Sequence, residues 1–444
     1  MNRGVVTFLL FALANFWHGE RVMSKLRRLG FGRRLAMAVI AGNCFWPFAA
    51  TDTSAADSNA IEALDFEVQL ETVFEHDDGK FLWYHPRVTP LLPANGATPS
   101  VLLTLQKHLH VSDYYSGLHV MRRKTVATPW AGPDAVPELD WRKEPDGVTL
   151  SVADVTPGWH GRTGKVLAIG CQVPYSPKGE QLDEKPRQHQ TAYAVFDPAQ
   201  DSWSKWEILD MPRDRKFDFS RNACAQWLVR HDGHLLVPVY FGPNAKEPFS
   251  VTVVLCRFDG RKLGYLEHGD ELKLAVQRGL VEPSIVAFGT RYFLTLRNDE
   301  RGYVTSSDDG LRWAPMRPWT FDDGAELGSY NTQQHWLAHS EGLFLVYTRR
   351  GANNDHIMRH RAPLFIAQVN PATLQVIRRT EKILVPERGG ELGNFGAATI
   401  NRAESWVTVS EGVWTADARR RGATGATFVA RVLWSKPNRL AEFP

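Results

Sequence analysis

Cysteine is scarce in this chain: four residues in 444, with no CxxC pair and no Cys/His spacing suited to zinc. Three of them, Cys171, Cys224 and Cys256, follow the amino-terminal segment, and an odd number excludes a complete disulfide framework. They read as small buried hydrophobes. Long amphipathic helical patterns are missing too; only ELKLAVQRG, from Glu271, has the spacing of one short helix. No Gly-rich phosphate loop, redox motif or nucleic-acid patch occurs, so no cofactor and no nucleic-acid partner is expected.

An excess of one charge is missing from the body of the chain. The formal charge of +3 comes from residues 1–50, which hold seven Lys/Arg against the single acid Glu20. Of 52 Lys/Arg and 49 Asp/Glu in all, 45 and 48 lie beyond that segment, a net charge of −3. Such a body offers no global attraction for nucleic acid or an anionic membrane. The amino terminus reads as an export signal: a basic MSKLRRLGFGRR from Met23, then a short apolar LAMAVIAGNCFWPFAA, then small residues at Ala49, Ala50, Ser54 and Ala55. The apolar stretch is too short for a membrane span. The expected organisation is a signal over residues 1–56 with its start at Met23, and a monomeric body over 57–444 exported to the periplasm or beyond.

What the chain does have is a strand phrase repeated six times. The copies are VLLTLQK (Val101), KVLAIGC (Lys165), HLLVPVY (His234), YFLTLRN (Tyr292), LFLVYTR (Leu343) and SWVTVSE (Ser405), with starts 64, 69, 58, 51 and 62 residues apart. Each follows a second strand-like run, from HPRVTPLL at His85 to NFGAATI at Asn394, often across a Gly-containing turn. Later strands such as TAYAVFDP from Thr191 complete units of four. Fifteen Trp and 23 Phe suit sheets that pack face to face. Strand-only repeats of this period predict an all-β, six-bladed propeller of four-stranded antiparallel blades. One copy continues as YVTSSDDGLRW, where Ser306, Asp308, Gly310 and Trp313 fit the Asp-box pattern S-x-D-x-G-x-x-W, a structural turn motif.

In order and spacing of motifs, roughly Phe81 to Glu411 resembles the sialidase (neuraminidase) superfamily of six-bladed propellers. HPRVTP supplies Arg87 for the arginine that opens the first blade, and SDYYSGLHVMR supplies Asp113 for the acid/base aspartate. VEPSIVAF supplies Glu282, LRND supplies Arg297, and HRAPLFIAQV supplies Arg361 with Arg359 as the lesser choice. The resemblance implies a glycoside hydrolase on a terminal acidic sugar. Guanidinium groups would hold the sugar carboxylate through planar, charge-assisted hydrogen bonds. Asp113 would be the acid, and Glu282 the base or its partner. Arg221 and Asn222 in SRNACAQW, with Tyr330 in GSYNTQQHW, are further rim candidates for binding the glycan.

One departure stands out. Sialidases use a tyrosine nucleophile, and LGNFGAATI places Phe395 where it is expected. Three readings follow: another tyrosine substitutes (Tyr330, Tyr240 or Tyr114), the enzyme inverts, or the pocket performs elimination on a uronate polymer. The loop QKHLHVSDYYSG carries His108, His110 and two tyrosines for that last chemistry, with His160 on the second blade. A non-catalytic glycan-binding propeller is the remaining alternative.

Overall fold

The computed structural model describes residues 61–93, 98–111 and 113–441. The export signal lies outside the described residues. All six repeated phrases are strands: Ser100–His108, Lys165–Tyr175, Leu235–Gly242, Arg291–Arg297, Gly342–Tyr347 and Glu404–Ser410. Each pairs antiparallel with the run before it, as in Val88↔Leu103, Pro157↔Ala168, Ile285↔Leu294, Trp336↔Leu345 and Ala397↔Val407. The sequence ELKLAVQRG is not helical. Burying Val251 opposite Leu272 draws it along a strand as an isolated bridge instead. Among the described residues the one α-helix is Ala416–Arg421, capped by the Thr415 side chain and by Gly422 in the left-handed region.

The strands form five hydrogen-bonded sheets rather than six separate four-stranded blades. Three sheets have four strands, one has five and one has 11. The large sheet arises because Phe219–Arg221 pairs on both sides: antiparallel with Leu235–Gly242 and parallel with Gln190–Asp197 through Ser220↔Gln190. The run SRNACAQWLV is broken in its middle, so its first half is free to bridge while Leu228–Val229 pairs normally.

The inner strands adjoin one another around an axis: Leu82–Leu91 neighbours Thr149–His160 on one side and Gly396–Thr399 on the other. The cycle continues through His335–His339 and Val281–Phe288, and the Trp227 indole donates to Thr156 O at 3.0 Å. Ring closure joins the first and last strands of the described residues, because Phe66–Glu75 pairs with Ala426–Trp434 from Phe66↔Trp434 to Glu75↔Ala426. The core lies between sheets, where alternate strand residues interdigitate. Phe344, Val346 and Ile366 meet Val407, Phe428 and Ala430 in one such layer. The architecture is an all-β propeller.

Candidate active site

Three inner strands carry the same irregularity. Their register shifts between Tyr84 and Arg87, Ala153 and Thr156, and Val281 and Ser284. Inside each shift one residue takes a left-handed backbone: His85 (φ 52), Asp154 (φ 57) and Glu282 (φ 47). Cys224 (φ 50) and Asn331 (φ 47) do the same just ahead of their strands. Such bulges break the pleat and re-aim one side chain. All five side chains line a single axial cavity of about 630 Å³.

Two residues further along the chain, Arg87, Gln226 and Ser284 drop out of the cavity lining, while Gln333 stays at its edge. Arg87 is 2% exposed; its guanidinium donates to Phe395 O and, at 3.2 Å, to Gln333 Oε1, and lies 3.4 Å from His335 Nε2. Gln333 also donates to Phe395 O at 2.6 Å, and Ser284 Oγ meets His335 Nδ1 at 2.9 Å. Gln226 donates to Trp336 O and Ala397 O at 3.0 and 3.1 Å. These groups form a closed polar floor. Arg87 therefore does not line the cavity as expected, because the bulge at His85 turns it inward.

Other candidates also fall outside. Asn222 is fully buried and donates to Pro238 O at 2.7 Å. The Tyr330 hydroxyl meets His360 Nδ1 at 2.7 Å, away from the cavity. Tyr114 stacks on Trp141 with centroids 5.2 Å apart, leaving Tyr240 as the one lining residue among the three tyrosines considered for Phe395. His160 is buried against Thr163 Oγ1 (2.8 Å) and Gly233 O (3.1 Å). Phe395 itself is fully buried.

The cavity wall holds the remaining candidates. Glu282 pairs with Arg297, whose other nitrogen donates to Asn331 Oδ1 at 2.6 Å. Burial works to raise the Glu282 carboxyl, but Arg297, Arg361 and Arg278 override it and leave it below its ordinary value. Arg361 donates to Glu391 Oε2 at 3.0 Å, Thr332 Oγ1 at 2.9 Å and Asn331 O at 2.8 Å. Glu391 in turn accepts from the Tyr84 hydroxyl, and a Trp414 Nε1 contact lies at 3.4 Å. Burial pushes Tyr84 well up, with the Glu391 charge adding to it; the same burial on Glu391 is overridden by Arg361 and by its hydrogen bonds. Arg278 forms a two-point contact with Asp299 at 2.9 and 2.7 Å. Arg221 lies over the Tyr240 ring and reaches His189 Nδ1 at 2.6 Å.

Arg359 differs from these. It lines the cavity, yet it makes no hydrogen bond or ion pair with any described residue. Burial lowers its guanidinium, and the neighbouring charges of Arg361 and Arg297 add to that. An anion entering the cavity meets this group without first displacing a protein carboxylate.

The first-blade loop reaches over the same space. Asp113 is exposed at the rim, accepts from Tyr115 Oη at 3.3 Å, and is anchored through its carbonyl by Tyr175 Oη at 2.9 Å. His108 and His110 both line the cavity, with His108 packed among Tyr84, Tyr115 and Trp414 at centroid distances of 5.2, 5.3 and 4.8 Å. Sequence reasoning missed Tyr84, His85, Asp154, Arg278, Asp299, Glu391 and Trp414. A signal for some of them existed: His85, Asp154, Cys224, Glu282 and Asn331 follow one another at 69, 70, 58 and 49 residues, nearly the period of the strand phrase.

No protein-family model and no curated protein matches the chain by sequence. Solved structures do match by shape. The NanB sialidase of Streptococcus pneumoniae superposes with a TM-score of 0.56 at 10% identity, covering 82% of this chain and 70% of that one. The Hadza microbial sialidase Hz136 gives 0.57 at 13% identity over 82% and 68%. The Trypanosoma rangeli sialidase, solved with sialic acid, gives 0.51 at 12% identity over 83% and 59%. Likeness at such identities speaks to architecture alone, and the architecture this chain shares with them is a β-propeller.

Proposed function

We propose that the protein is an exported glycoside hydrolase acting on a terminal, carboxylate-bearing sugar, with Tyr84 in place of the tyrosine missing at Phe395. The observation that carries this reading is the Tyr84 hydroxyl donating to Glu391 inside a cavity that also presents Asp113 and the unpartnered Arg359. A phenol beside a buried carboxylate has a base for its proton as it attacks the anomeric carbon. Arg359, backed by Arg297 and Arg361, would hold the sugar carboxylate. Asp113 at the rim would protonate the leaving oxygen, then activate water to release the sugar with retention. Glu282 would set the position of Arg297 rather than attack.

The test is a fluorogenic sialoside assayed with the wild type, Tyr84→Phe and Asp113→Ala. Release of sugar, lost by roughly 100-fold or more in both variants, is the expected result. Sugar release that survives Tyr84→Phe would sink the nucleophile assignment. A second reading, elimination on a uronate polymer, is favoured by His108 lying among Tyr84, Tyr115 and Trp414. In the same screen it would give an ultraviolet-absorbing unsaturated product without hydrolysis. Binding without either product would leave a glycan-binding propeller.

A further inference from the structure

His85 and Asp154 lie in the bulges of two inner strands and Cys224 just ahead of Leu228–Val229, and each takes a left-handed backbone and lines the cavity. One ligand atom from each, an imidazole nitrogen, a carboxylate oxygen and the thiol sulfur, lies within 4.8 Å of the other two. His85 Nδ1 approaches Asp154 Oδ1 to 3.1 Å, and His85 Nε2 is 3.7 Å from Cys224 Sγ. The imidazole is 6% exposed, yet its Nδ1 has no hydrogen-bond partner. Three polar groups converge there without bonding one another fully. Non-glycine residues in the left-handed region are strained, and such strain persists where it sets a functional side chain.

Two explanations compete. A nucleophile–histidine–carboxylate relay would set the thiol and the carboxylate at opposite ends of the imidazole, far from each other. Here the carboxylate does face Nδ1 and the thiol Nε2, but sulfur and carboxylate oxygen are not held apart: one ligand atom from each of the three residues lies within 4.8 Å of the other two. A triangle is what a shared ion requires. Four-coordinate zinc, with bonds of about 2.0–2.3 Å, holds its ligand atoms about 3.3–3.8 Å apart. A contraction of about 1 Å would bring the three atoms to that spacing.

We propose that His85, Asp154 and Cys224 form a binding site for a zinc-class divalent cation, with its fourth position open to the axial cavity. The donor set of imidazole nitrogen, carboxylate oxygen and thiolate sulfur suits zinc or cobalt better than calcium or magnesium, which take oxygen ligands. A thiolate and a carboxylate together neutralise the ion, so the cluster adds no net charge to a cavity already rich in arginine. The open position takes an oxygen donor, a water or a hydroxyl or carboxylate of whatever the cavity binds. The proposal does not depend on the glycosidase reading.

The experiment uses the full chain, dialysed against chelator and then loaded with zinc or with cobalt as a spectroscopic probe. About one zinc per chain is expected by elemental mass spectrometry. Cobalt should give a thiolate-to-metal charge-transfer band in the near ultraviolet. Cys224→Ser should abolish the band and weaken zinc binding by at least about 100-fold, and Asp154→Asn should weaken binding by about 10- to 100-fold. Cys171→Ser and Cys256→Ser should leave both readouts unchanged. Circular dichroism establishes that each variant is folded before it is scored. A folded wild type that takes up neither metal, or a cobalt band that survives Cys224→Ser, overturns the proposal. Acid-dependent, fast alkylation of Cys224 that added zinc does not slow also overturns it, in favour of the relay.

Discussion

The floor and the wall of the axial cavity are built from the same inner strands, two residues apart, and they use their polar groups in opposite ways. In the floor, Arg87, Gln333, Ser284 and His335 are buried and turned on one another. In the wall, the side chains one bulge earlier face open space, and Arg359 has no partner at all among the described residues. The difference teaches that an arginine in a motif position is not yet a binding arginine. A half-turn of the backbone at His85 decides whether it holds a ligand or holds the propeller together.

The sharpest way to break this comparison is Arg87→Met. Removing the guanidinium leaves Gln333 Oε1 without its donor and Phe395 O with Gln333 alone in a buried site, at a cost of about 1–3 kcal/mol. Urea unfolding should show the midpoint falling steeply, with ligand affinity intact in the molecules that remain folded. A variant of wild-type stability that has lost affinity would put Arg87 in the wall after all.

The converse change is Arg359→Ala. Nothing in the described structure depends on that guanidinium, so stability should stay within about 0.5 kcal/mol of wild type. Binding of an acidic sugar should weaken by roughly 10- to 100-fold, the worth of one charge-assisted contact. Calorimetric titration with sialic acid checks the loss, and a neutral sugar of similar size should be unaffected. Equal losses for both sugars would mean that Arg359 shapes the cavity without reading charge.

The same two-residue offset marks how far the sequence could be read. The strand phrases and their hairpin partners were legible because strands buried on both faces read as short apolar runs bounded by turn residues. Glu282, Arg297, Arg361, Arg221, Asp113, His108 and His110 were legible too, and all line the cavity. What did not show was the bulge. A left-handed residue shifts the pleat by one position without changing composition, so His85 took the place expected of Arg87. The turn at YVTSSDDGLRW repeats the lesson. Asp309 accepts from Leu311 N at 2.8 Å and Arg312 N at 2.7 Å, and Ser307 Oγ from Gly310 N at 2.8 Å, each one residue beyond the Asp308 and Ser306 of the motif. Glu391 and Tyr84 are a different case. Their partnership spans most of the chain, and no local pattern announces a contact made only when the ring closes.

The comparison can be sharpened with acid, at a smaller amplitude. His335 in the floor is held neutral chiefly by burial and then by Arg87, so its folded value lies well below the ordinary 6.5. An unfolded chain therefore binds a proton below pH 6.5 that the folded chain refuses, and stability is full above that pH and declines as pH falls. The wall carboxylates behave differently. Glu282 and Glu391 are depressed below 4.5, so their contribution persists until pH drops under that value and is lost only as it passes through their folded values. Between pH 6.5 and 4.5 the decline should thus come from buried histidines and not from the arginine–carboxylate wall. One such group changes stability by at most about 1.4 kcal/mol per pH unit. Urea midpoints at several pH values across that window should show His335→Gln with a shallower slope than wild type and the same behaviour below it. An unchanged slope would mean that the floor takes up its proton without opening, and that it is less closed than its hydrogen bonds imply.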